Sequence, residues 1–235
     1  MPEDIKKIIV VIVPSSQGLG GWDRWAREGT RVQKLLSPGK VEAAMATLLT
    51  GSSFEIHGVD KPGSTSCRAE YVWEAALRSS KKTALFGWPC DRPPAISESP
   101  VSVPSVTSFL RTSPDWDLCW IKLEENTETA AAGITDIPAE ETLRVVVGLP
   151  DEKSEGFCLF AGAGVIKGAV LSRKVRLEDV VPTICYLAEI SVPADCEGGI
   201  LYQVLEDPDL KMKELRACRR NYERLRRSSG PSAMC

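Results

Sequence analysis

The sequence predicts an α/β fold: a doubly wound, mostly parallel sheet with helices on both faces. Three observations carry this expectation. The run Ile5 to Val13, IKKIIVVIV, is dominated by β-branched residues without polar alternation, the pattern of a strand buried on both faces. Further short apolar runs recur along the chain between segments of helical periodicity, and strands alternating with helices imply parallel pairing. The chain has 235 residues, 43% hydrophobic and 26% charged, enough for one large α/β domain or two small ones.

The elements follow in order. Pro14 ends the first run, and the loop PSSQGLGG leads into Trp22 to Leu36, read as the first helix because Trp22, Trp25, Ala26, Val32 and Leu35 share roughly one side. Strand, glycine loop and helix together have the shape of an anion cradle. The spacing of Gly18, Gly20 and Gly21 matches neither a P-loop nor the dinucleotide fingerprint. Val41 to Leu49 is a helix of small residues with Gly51 just past its end, where a glycine cap belongs. Arg68 to Leu77 reads as an amphipathic helix and Thr83 to Phe86 as a short strand. Residues 95–115 are rich in proline and serine and read as a loop. Asp117 to Leu123 is a strand, Glu140 to Leu143 a helix end, and Arg144 to Leu149 the next strand.

The stretch Phe157 to Leu205 is the most legible. An apolar strand, Phe157 to Ala161, runs into glycines 162, 164 and 168. Leu177, Val180, Val181, Ile184, Cys185 and Leu187 then recur at helical spacing. Pro182 is tolerated only near a first turn, which places the helix start around Glu178 to Val181 and its stop before Pro193. Residues 1–205 are therefore expected to form the α/β domain and 206–235 a basic C-terminal helix and tail. In that tail Met212, Leu215, Cys218, Tyr222 and Leu225 form one stripe, with lysines and arginines crowding the rest.

Composition narrows the function classes. The eight cysteines are scattered, with no Cys-x-x-Cys pair, and read as reduced and mostly structural. No apolar run reaches the roughly 18 residues that a membrane span needs, and Ile8 to Val13 is too brief for a secretory signal, so the expected location is cytoplasmic. The chain contains one histidine, His57, which removes many hydrolytic site designs from the outset.

In this order the pieces resemble the alkaline phosphatase superfamily, specifically its type I phosphodiesterase/nucleotide pyrophosphatase branch. Thr47-Leu48-Leu49-Thr50-Gly51 and then His57-Gly58 look like that branch's "AT-x-x-TG … HG" helix and loop. Val72-Trp73-Glu74 to Leu77, Phe86-Gly87-Trp88-Pro89 and Pro93-Pro94 look like its next helix and strand. Asp117-Leu118 opens a match to "DLLFVYL", and Phe157 onward matches "G-x-F-x-x-x-GxGI-x-x-G … L-x-D-x-x-PT". The resemblance touches most of residues 5–205 and implies a shortened member, because the segment between Pro94 and Asp117 is brief where relatives carry an insertion.

The resemblance also implies a threonine or serine nucleophile and two metal ions, usually zinc, held by aspartates and histidines. Each expected position departs from this. The family aspartate falls on Pro14, the nucleophile at or near Val41, the Asp-x-x-x-His pair on Thr127 and Ala131, the Asp-His dipeptide on Leu149-Pro150, and a later histidine near Glu152. The leading expectation is thus a non-catalytic binding or assembly domain without a cofactor. A small anionic ligand is expected at Ser15, Ser16, Gln17, Gly18, Gly20 and Gly21, and a protein partner or second copy at the C-terminal helix. The competing expectation is a phosphoric ester hydrolase with magnesium or manganese on Glu42, Glu124, Glu125, Asp151 and Glu152. Nucleic-acid binding through the basic tail is a third reading, disfavoured by the net charge of −3.

Overall fold

The computed structural model describes residues 5–15, 19, 21–61, 66–99, 103–113, 115–124, 131, 132, 134, 141–150 and 155–209. Their centre is β1, Lys7–Pro14. Ile8, Val10 and Ile12 point into one apolar core and Ile9, Val11 and Val13 into another, so every side chain from Ile8 to Val13 is buried. This is why the run carries no polar alternation.

The eight described strands form one sheet in the order β4-β3-β5-β1-β6-β7-β2-β8. Their ranges are β2 Gly29–Leu36, β3 Thr83–Phe86, β4 Ile96–Glu98, β5 Leu118–Lys122, β6 Thr142–Leu149, β7 Gly156–Gly162 and β8 Ala169–Arg176. Every pair is parallel except those of β7, which runs against both β6 and β2. Helices cover both faces. On one side lie α2 (Val41–Thr50), α4 (Val72–Arg78) and α6 (Val180–Ala188), with the short α3 (Phe54–His57) beside α2. On the other lie α1 (Asp23–Glu28) and α5 (Val103–Thr112). The mostly parallel, doubly covered sheet matches the expected fold class.

Several local expectations are corrected. The helix expected over Trp22 to Leu36 ends at Glu28, and Gly29 opens a strand instead. A β-bulge between Val32 and Leu35 shifts the register there, so that two core residues stand three apart and imitate helical spacing. Gly29 is required by close approach: a Cβ at this position would lie 1.9 Å from the Phe160 carbonyl oxygen. The expected loop over 95–115 contains β4 and α5. Pro104 sits in the first turn of α5, where it is tolerated, and Val106 and Leu110, one helical turn apart, are buried. The helix end expected at Glu140 to Leu143 is the start of β6, drawn into the sheet by the pairing of Lys7 with Thr142; Glu140 itself lies outside the described residues. The strand β8 has no counterpart in the sequence reading. It is an edge strand with only Leu171 and Val175 buried, so its apolar signal is thin.

The helix over Arg68 to Leu77 is shorter than expected and begins after Tyr71, whose backbone N–H donates to Glu74 at 2.8 Å. The short α3 was not expected either; α2, β3, β5, β7 and α6 fall within a residue or two of the expected bounds. Gly51 caps α2 at φ 71°, its N–H donating to the Thr47 carbonyl at 2.8 Å. Pro182 lies in the first turn of α6.

Candidate functional site

Because all strands but β7 point the same way, the C-terminal ends of β3, β5, β1, β6, β2 and β8 share one edge of the sheet, and α2 begins five residues beyond the end of β2. Open parallel sheets receive ligands at this edge. Its centre is apolar: Pro14 pairs with Leu149, which is 6% exposed. Val41, at the first position of α2, is exposed. Ala131 is fully buried and, with Ile134, packs into the core under α1 and α5. None of the Pro14, Val41, Ala131 and Leu149 side chains carries a donor for a metal.

Of the expected ligand loop, Ser15 is buried at the end of β1 and Gly21 adopts φ 75° just before α1. Ser16, Gln17, Gly18 and Gly20 lie outside the described residues. Of the alternative carboxylate set, Glu42 is half-buried in the first turn of α2 and Glu124 stands in solvent past β5, paired with Lys122. Glu125, Asp151, Glu152 and Thr127 lie outside the described residues, as does the C-terminal segment from 210 onward. Among the described residues no three histidine, cysteine, aspartate or glutamate side chains converge.

His57 is fully buried and belongs to the scaffold. Its Nδ1 accepts the Val59 backbone N–H at 3.0 Å, which leaves Nε2 to carry the ring proton and donate to Thr47 Oγ1, also at 3.0 Å. Burial, helped by the Arg68 cation, pushes its pKa down to about 4. Both ring nitrogens are therefore committed to tying α2 to the loop after α3.

The closing motif has a comparable role. Asp179, 8% exposed, accepts the backbone N–H groups of Gly199 at 2.9 Å and Arg176 at 3.2 Å, and also the Arg176 guanidinium. Thr183 donates to the Asp179 carbonyl at 2.7 Å and accepts the Leu201 N–H at 2.9 Å. The "L-x-D-x-x-PT" residues thus pin the Gly198-Gly199 loop onto the start of α6.

Sequence reasoning missed Lys122 and Trp88. Lys122 is the last residue of β5 and pairs in register with Ile12 of β1. Its ammonium lies 5.6 Å from the centre of the Trp88 ring, just past β3. A lone cation closing the apolar run DLCWIKL was the available signal.

No family model matches the sequence, and no curated protein matches it. Solved structures do match. Human ectonucleotide pyrophosphatase/phosphodiesterase 5 superposes with a TM-score of 0.69 at 11% identity, covering 86% of this chain and all of that one. The phosphonate monoester hydrolase of Agrobacterium radiobacter gives 0.67 at 12% identity, over 88% of this chain and 77% of that one. A protein in the alkaline phosphatase superfamily from Vibrio parahaemolyticus gives 0.58 at 12%, over 87% and 71%. This chain has the alkaline phosphatase superfamily fold. The paired transition metals that the resemblance implies find no ligands at the described positions matched to them: Pro14, Val41, Ala131 and Leu149 bring no ligand atoms, and the one imidazole is spent on Thr47 and Val59.

Proposed function

We propose that the chain is a non-catalytic binding or assembly domain built on the alkaline phosphatase superfamily fold. The observation that carries this reading is His57. It is the sole histidine of the sequence, and both its ring nitrogens are held in a buried scaffold contact. The apolar side chains Pro14 and Leu149, side by side at the central strand ends, support it further. A small anionic ligand at the C-terminal edge and a protein partner or second copy at the basic segment 206–235 are the partners this reading supplies.

The test is a hydrolysis assay on purified protein with aryl phosphate monoesters and diesters, in the presence of added zinc, manganese or magnesium. Turnover at the uncatalysed rate is expected. Turnover well above it, lost on chelation, would overturn the proposal and favour the carboxylate-metal hydrolase. The described part of that site offers two carboxylates, one of them engaged by Lys122.

A further inference from the structure

Lys122 and Glu124 form an unequal pair. The lysine side chain is 13% exposed, whereas the glutamate is 82% exposed. Among the described residues Glu124 is the one carboxylate that meets this ammonium, and the Trp88 ring is its other neighbour. The cation of a side chain whose stem is largely buried is favoured by compensating charge beside it. A carboxylate two residues along the chain and mostly in water supplies it only weakly, since exposed pairs contribute little and are screened by salt. A better-placed anion can therefore take its place.

The location suits such a replacement. Lys122 ends β5 next to β1, at the edge where parallel sheets receive ligands, and its register partner Ile12 offers no competing charge. The ammonium has three N–H donors and no acceptor, so it selects for oxyanions. The Trp88 ring, 5.6 Å away, adds a cation–π contact on one side of it. We infer that Lys122 anchors a binding site for a small oxyanion-bearing ligand at the C-terminal ends of β1 and β5, the oxyanion displacing Glu124 from the ammonium. The inference deepens the reading of the chain as a binding domain and rests on it for the absence of turnover, but Lys122-dependent binding is measurable by itself.

The experiment is isothermal titration calorimetry of the full chain at low ionic strength with inorganic phosphate, sulfate and acetate in separate arms, which tell a tetrahedral oxyanion from a carboxylate. Saturable binding of at least one is expected. Lys122→Gln should weaken it about tenfold or more, the scale of a charge-assisted hydrogen bond. Glu124→Gln should tighten it by roughly two- to fivefold, because the exposed competitor is gone. Undiminished binding in Lys122→Gln, weaker binding in Glu124→Gln, or no saturable binding of any of the three anions would overturn the inference. Urea unfolding verifies that each variant is folded. If Lys122→Gln is not, Lys122→Arg, which keeps the charge, must retain binding and the Glu124→Gln result decides. Chelator-sensitive hydrolysis would defeat the non-catalytic reading while leaving Lys122-dependent binding intact, and loss of Lys122 dependence would do the reverse.

Discussion

Thr47 Oγ1 and His57 Nε2 meet at 3.0 Å, both fully buried, where α2 packs against α3. The contact needs a neutral imidazole, because Nδ1 must keep a lone pair for the Val59 N–H. In the unfolded chain the ring takes a proton below its ordinary pKa of 6.5, and in the folded chain only below about 4. Unfolding therefore takes up a proton between these values, and stability is full above pH 6.5 and falls as pH drops toward 4. The loss amounts to about 3 kcal/mol. Urea midpoints measured from pH 7.5 to 4 should show the decline, and His57→Gln should flatten this part of the profile. Thr47→Val, which leaves the Nε2–H without an acceptor, should cost about 1–3 kcal/mol at pH 7.

Gly29→Ala tests the replacement of the expected helix by β2. In a helix the substitution would stabilise by about 1 kcal/mol. In the structure the new methyl would collide with the Phe160 carbonyl across the β2–β7 pair, and a loss of about 2–4 kcal/mol is expected in thermal or urea unfolding.

Asp179 gathers two backbone N–H groups and a guanidinium at the start of α6. Asp179→Ala should destabilise by about 2–4 kcal/mol because the Gly199 N–H loses its acceptor. Asp179→Asn, which keeps one acceptor oxygen, should cost less. Unfolding midpoints of both variants give the comparison. An equal loss in the two would show that the carboxylate charge, and not its acceptor geometry, matters.

Cys119 and Cys158 are fully buried strand residues whose thiols are pushed up by desolvation. Cys90 is half-buried, and burial moves it to about 11. At pH 8 in the native state, Cys119 and Cys158 should resist alkylation while Cys90 and Cys196 react slowly, and unfolding in urea should expose all of them. Peptide mass spectrometry after timed iodoacetamide treatment reads this directly. Fast native labelling of Cys119 would contradict the placement of β5 inside the sheet.

The sequence by itself determined the elements whose signals are local. The β-branched run of β1, the glycine cap of α2 and the strand and helix around the "L-x-D-x-x-PT" motif all follow from side-chain periodicity and backbone preference within a few residues. The histidine count also needs no coordinates. Tertiary structure decided the rest. The bulge at Val32 to Leu35 made β2 look helical, and only the neighbouring strands β7 and β8 could show otherwise. β8 carries too few apolar residues to declare itself, and α5 hides behind a proline that its first turn accommodates. The candidate site depended most on long-range placement: a lysine at the end of an apolar run becomes a largely buried side chain beside Trp88 only because β3 and β5 are adjacent in the sheet. Burial is a property of what packs around a residue, and for Lys122 the register of the sheet sets it.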